Sequence, residues 1–172
     1  SGGLSISGKN ITINGVIIDT NRPVKLFVLK QPVVLRLTVT DLSQITTARI
    51  TQITCKGLRT QSLNLLVSGS SRVSIGQLTA DDVSIRASGS GSVSLAGTAR
   101  QQTIRISGSA VVEASRLSGN LATVRATGSG NATVAVTSSL DVRISGSARV
   151  SYSGSPDITK RISGSGKLVK GN

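Results

Sequence analysis

The sequence has no histidine, methionine or tryptophan, and only one phenylalanine, one tyrosine and one cysteine in 172 residues. Each absence excludes something. Without histidine there is no imidazole metal ligand and no general base of the usual kind. The single cysteine, Cys55, can close no internal disulfide and cannot build a multi-cysteine zinc site; a small buried apolar role is expected for it. Aromatic side chains supply much of the buried area of an ordinary core, so this interior has to be assembled from valine, isoleucine, leucine and alanine. No apolar run approaches the roughly 18 residues that a membrane-spanning helix requires. Residues Ser1 to Ile6 do not join a positive segment to an apolar stretch, so no signal peptide is read, although a mature chain can have lost one.

Acid is scarce as well. Lys and Arg total 20 against 7 Asp and Glu, a formal net charge of +13. With 37% apolar and 16% charged residues, the composition is that of a folded chain and not of a disordered polyelectrolyte. The length allows one domain or two small ones.

What is present repeats. A Ser/Thr-Gly-Ser triplet recurs with its glycine at 69, 89, 108, 128, 146 and 164, at intervals of 20, 19, 20, 18 and 18 residues. Two before the glycine stand Val67, Ala87, Ile106, Ala126, Ile144 and Ile162. Four before stand Leu65, Ile85, Ile104, Val124 and Val142, until Lys160 breaks the column. Four after stand Val73, Val93, Val112, Ala132, Val150 and Leu168, and the residue two after is always small. Period-two alternation with β-branched residues is the strand signal. Each unit reads as strand, Ser-Gly-Ser bend, strand, and a variable return holding a third short strand.

A hairpin meander would need stronger turn dipeptides, and a propeller blade needs about 40 residues. The columns are best explained by an all-β, single-stranded parallel β-helix, a right-handed solenoid with coils of about 18–20 residues in which equal positions stack ~4.8 Å apart. Small apolar columns then fill a narrow bore, which accounts for the missing aromatics, and the serine columns can hydrogen-bond along the stack. The whole chain, 1–172, is read as one β-helix domain, with 1–60 as irregular N-terminal coils or a cap and 61–172 as the regular Ser-Gly-Ser repeats. Pro23 and Pro32 sit at the ends of alternating stretches, where a missing N–H does least harm.

The repeats from Val67 to Lys167, ending in Ile162-Ser163-Gly164-Ser165-Gly166-Lys167, resemble the putative auto-transporter adhesin, head GIN domain family, from about residue 60 to the end. The resemblance implies a bacterial exported protein, in the periplasm, outer membrane or at the cell surface, with a β-helical fold like adhesin heads. It implies no catalytic residues.

Chemistry is poorly supported. The acids are Asp19, Asp41, Asp81, Asp82, Glu113, Asp141 and Asp157. Asp81 and Asp82 are adjacent and would face opposite ways on a strand. Only Asp82 and Asp157 share a register, four coils apart. No pair is placed for general acid and base work at roughly 5–10 Å, and no cluster offers Ca²⁺ its several oxygens. Serine without histidine lacks its usual activator, and no phosphate-loop motif occurs. No enzyme activity, cofactor or metal is expected.

The polar feature above background is a column of arginines three before the glycine: Arg86, Arg105, Arg125, Arg143 and Arg161. Each lies between two apolar columns and should point outward. Two unit charges ~4.8 Å apart repel by about 0.9 kcal/mol even in bulk water. A partial basic column three after the glycine holds Arg72, Arg149 and Lys167. Either these charges only solubilise an exposed sheet, or they form an anion track. The expected function is a non-enzymatic, exported, adhesin-like β-helix whose basic face binds an anionic polysaccharide or lipopolysaccharide at the cell envelope. The alternatives are a structural or self-assembling envelope module, possible as a homo-oligomer, and a polysaccharide-cleaving β-helix. Nucleic acid is disfavoured, because Phe27 and Tyr152 stand alone as stacking residues.

Overall fold

A computed structural model describes the backbone of residues 3–8, 10–13, 16–19, 24–27, 37–39, 42–47 and 52–171, and the side chains of 42–47 and 52–171. Pro23, Pro32 and Asp41 lie outside the described residues, as do the side chains of Asp19 and Phe27.

The described residues are all β, without helix, and their parallel sheet forms a solenoid of about six turns. Ahead of it come β1 (Gly3–Gly8), β2 (Asn10–Ile13), β3 (Val16–Asp19), β4 (Val24–Phe27) and β5 (Leu37–Val39). Their pairing is antiparallel: β1 lies between β4 and β6 (Leu42–Thr47), and β2 lies between β3 and β5. Parallel stacking starts where β6 meets β9 (Ser62–Val67). From there β7 (Gln52–Cys55), β8 (Leu58–Arg59) and β9 all pair with β10 (Arg72–Gly89). Above β10 follow β11 (Ser92–Gly108), β12 (Val111–Gly128) and β13 (Asn131–Gly146). The last coils are β14 (Arg149–Ser153) and β15 (Asp157–Ser163) on β13, and β16 (Lys167–Lys170) on β14.

Each coil contributes three ladders. In β10 and β11 they begin at Arg72↔Ser92, Leu78↔Gly97 and Asp82↔Gln101. The middle one is the third short strand of the return. Apolar residues from all three faces fill the bore. Leu65, Ile85, Ile104, Val124 and Val142 stack in one fully buried column, and each such side chain is stabilised by about 1.5–3 kcal/mol relative to exposure. Cys55 is half-buried and not fully buried; it packs against this core with its thiol donating to the Gly57 carbonyl at 3.2 Å.

The bend glycines have φ between 74° and 104°, a conformation that costs an L-residue strain. They also stack closely: a Cβ on Gly128 would sit 2.6 Å from the Gly108 carbonyl oxygen. Handedness of the backbone and contact with the coil below both select glycine, which is why the triplet recurs.

Among the described residues three polar ones are buried: Thr47, Ser71 and Gln102. Gln102, 1% exposed, occupies the inward column of Leu63, Val83, Ala122 and Leu140. Between β12 and β13 the ladder skips from Ala114↔Val134 to Ser118↔Ala135, because the repeat shortens there from 20 to 18 residues. Gln102 Nε2 donates to the Leu117 carbonyl at 2.8 Å and lies 3.4 Å from the Ala135 carbonyl. It serves backbone acceptors at the corner where stacking is interrupted.

Candidate functional site

The arginine column follows from strand alternation. In the third ladder of each coil, residues four and two before the bend glycine point inward, so the residue between them points out. The register is unbroken: Arg86↔Arg105, Arg105↔Arg125, Arg125↔Arg143 and Arg143↔Arg161. All five side chains are exposed. Below Arg86 the column continues as Leu66 and then Thr46, so the charge begins two coils above Thr46 and not at the base of the stack.

Flanking columns give this face its texture. On one side run Ser84, Thr103, Thr123, Asp141 and Thr159. On the bend side run Ser88, Ser107, Thr127, Ser145 and Ser163. The bend hydroxyls donate to carbonyls of the preceding coil: Ser68 to Thr47 at 2.8 Å, Ser88 to Val67 at 3.5 Å and Thr127 to Ile106 at 3.2 Å. Their lone pairs remain available as acceptors. Between arginine ridge and bend lies a shallow groove, with a hollow of about 460 Å³ from Thr46 to Thr127 and another of about 300 Å³ from Arg125 to Ser163. The two hollows share Arg125 and Thr127. The hydroxyl column five before the glycine was not singled out in sequence; serine or threonine at four of its five positions was the available signal.

Asp141 stands in that flanking column, and its Oδ2 lies 3.6 Å from Arg143 Nη2. Its Oδ1 is buried without a hydrogen-bond partner. Among the described residues, no carboxylate comes within 4.0 Å of Arg86, Arg105, Arg125 or Arg161. The second basic set lies across the bend. There the register runs Arg72, Ser92, Val111, Asn131, Arg149, Lys167, so Arg149 and Lys167 are neighbours while Arg72 is four coils away, where its Nε donates to Ser92 Oγ at 3.2 Å. None of the three lines the groove.

The acids stay dispersed. Asp81 and Asp82 are both exposed, at a corner where both N–H groups donate to the Gln61 carbonyl at 3.0 Å; the corner removes the alternation a straight strand would impose. Asp82 lies 3.8 Å from Arg100, and it shares its column with Asp157 four coils on. Among the described residues there is no group of three metal-ligating side chains and no helix long and apolar enough to cross a membrane.

Fold and face together define a β-solenoid scaffold whose polar chemistry is displayed along the outside of its coils. The chain belongs to the putative auto-transporter adhesin, head GIN domain family, whose model matches residues 5–156. That match reaches well before residue 60, so it includes the N-terminal third, where the sequence repeat is silent. Among solved structures, a putative adhesin from Bacteroides fragilis is 25% identical with a TM-score of 0.76, over 93% of this chain and 75% of that one. A putative adhesin from Parabacteroides merdae is 21% identical with a TM-score of 0.68, over 77% and 57% of the two chains. A putative lipid binding protein from Parabacteroides distasonis is 23% identical with a TM-score of 0.61, over 78% and 62%. This chain thus spans about three fifths of the length of the two Parabacteroides proteins. No functionally curated protein matches it.

Proposed function

We propose that the protein is a non-enzymatic, exported, adhesin-like β-helix that binds an anionic glycan or lipopolysaccharide at the bacterial cell envelope. Residues 1–172 are read in it as one domain; β1 and β4, which join the sheet of the solenoid, support this, while β2, β3 and β5 form a sheet of their own. The observation that carries the reading is the in-register, exposed ladder Arg86, Arg105, Arg125, Arg143, Arg161. Like charges held in line repel one another, and an anion laid against them relieves that repulsion while gaining charge-assisted hydrogen bonds. Arg72, Arg149 and Lys167 add to the positive field without lining the groove. Dispersed carboxylates and the missing histidine support the absence of catalysis.

The test is binding of purified lipopolysaccharide and of acidic glycans at low and high ionic strength, with wild type and with the five ladder arginines replaced by glutamine. Binding that weakens with salt and is lost in the variant supports the reading. Binding indifferent to both salt and substitution contradicts it.

A structural role without ligand is the second reading. It is favoured by Ile158 and Ile162, 39% and 40% exposed on β15. It predicts self-association in light scattering without added polyanion.

A further inference from the structure

The arginine ladder is one residue wide, in unbroken register, and bordered by hydroxyls on both sides except at Asp141. We infer that its ligand is a linear polyuronate, an extended acidic polysaccharide running parallel to the solenoid axis in the groove between the arginine ridge and the bend. This rests on the reading of the ladder as an anion site and narrows it to one ligand geometry.

Four observations carry it. The rungs are spaced by the strand separation of ~4.8 Å, so five of them extend over roughly 19 Å in a line. A compact headgroup bearing one or two phosphates spans only neighbouring rungs and leaves the others unneutralised. An extended pyranose chain advances by close to one coil per sugar, and its carboxylates therefore meet successive or alternate arginines. Second, the groove is continuous past Arg125, where its two hollows meet, so a chain can lie along it without interruption. Third, the bend hydroxyls Ser68, Ser88 and Thr127 already donate inward to backbone carbonyls. They face the groove as acceptors, suited to sugar O–H donors, while the guanidiniums supply donors to carboxylates. Fourth, no aromatic ring lines the groove. Neither nucleobases nor neutral sugar faces find a stacking platform there, so charge and hydroxyl pairing must carry recognition.

The ladder is not uniform. Asp141 sits 3.6 Å from Arg143 and partly neutralises that rung. Arg105 and Arg125 have no such neighbour among the described residues. Arg143 should therefore contribute less to polyuronate binding than Arg125, and removing the Asp141 charge should tighten it.

The experiment is calorimetric titration of the chain with oligogalacturonates of increasing length, beside inorganic phosphate and vesicles containing lipopolysaccharide. Affinity should climb with each added uronate until the oligomer spans the ladder, then level off. Arg125→Gln should weaken the longest oligomer by about two- to fivefold, the range of an exposed ion pair, and Arg143→Gln by less. Asp141→Asn should tighten it. All three positions are on the outer face, and unchanged thermal unfolding verifies that each variant is folded. Oligouronates that bind equally at every length, or that fail to bind while the vesicles bind in a salt-sensitive way, overturn the polyuronate inference and leave the anion site standing. Absence of salt-sensitive binding to any of the three probes overturns both.

Discussion

Ile106 and Gly130 are shaped to one another across a coil boundary: a Cβ on Gly130 would lie 2.5 Å from Ile106 Cγ2 and 2.6 Å from the Ala110 carbonyl oxygen. The same relation links Val67 with Gly91, at 2.9 Å, and Ile144 with Gly166. In the intervening coils the residue before the bend is Ala87 or Ala126, and the corresponding partner in the next coil is Ala110 or Ala148, all buried. A bulky residue before one bend demands glycine after the next, whereas alanine leaves room for a methyl. Close-packed interiors register differences of that size.

Gly130→Ala is accordingly expected to destabilise the solenoid by about 1–3 kcal/mol through overpacking. Ile106→Ala alone should cost about 2–5 kcal/mol for its cavity. In the double variant the alanine at 130 should cost less than it does alone, because the Ile106 methyl it meets is gone while the approach to the Ala110 carbonyl oxygen remains. A denaturant-unfolding double-mutant cycle checks this; strictly additive costs contradict the pairing.

Gln102 offers a second test. Its Nε2 donates to Leu117 O at 2.8 Å, while its Oε1 is buried without a partner. Leucine of similar size would bury more apolar surface but leave acceptors at the interrupted corner unserved. An unsatisfied buried acceptor costs about 1–3 kcal/mol; Gln102→Leu removes one, Oε1, but takes the donor from two, the Leu117 and Ala135 carbonyls, so it should lower the unfolding free energy despite its greater apolarity. A more stable leucine variant would show that the amide is not needed there.

The columns were legible because a parallel stack converts sequence period into spatial adjacency, and six Ser-Gly-Ser bends kept the count. Strand alternation then placed Arg86 through Arg161 outward and Leu65 through Val142 inward. The fit of Ile106 to Gly130 was not legible, since it depends on which residues of neighbouring coils touch at a corner, not on either column alone. Nor was Gln102, whose column reads as apolar until the ladder skips beside it. Ahead of Leu42 no repeat exists to set a register, and antiparallel pairing of β1 with β4 and β6 leaves no periodic trace.

Lys160 sits on β15 opposite Val142, in the column that is apolar in the coils before it, and it is exposed between Ile158 and Ile162. Charge on an edge strand opposes strand addition by another molecule. Lys160→Val should raise concentration-dependent self-association, read by light scattering, without altering the β-sheet content seen by circular dichroism. A variant that stays as dispersed as wild type over the same concentrations argues against that role.

The most direct test of the ladder is the salt dependence of polyanion binding, measured for wild type and for single Arg→Gln variants at 105, 125 and 161. Each arginine that engages the ligand releases counterions, so its loss should flatten the slope of log affinity against log salt by somewhat less than one unit. Three comparable decrements from arginines on different coils are the predicted result. Slopes identical to wild type would mean that the guanidiniums do not touch the ligand, and the account of this face would be wrong.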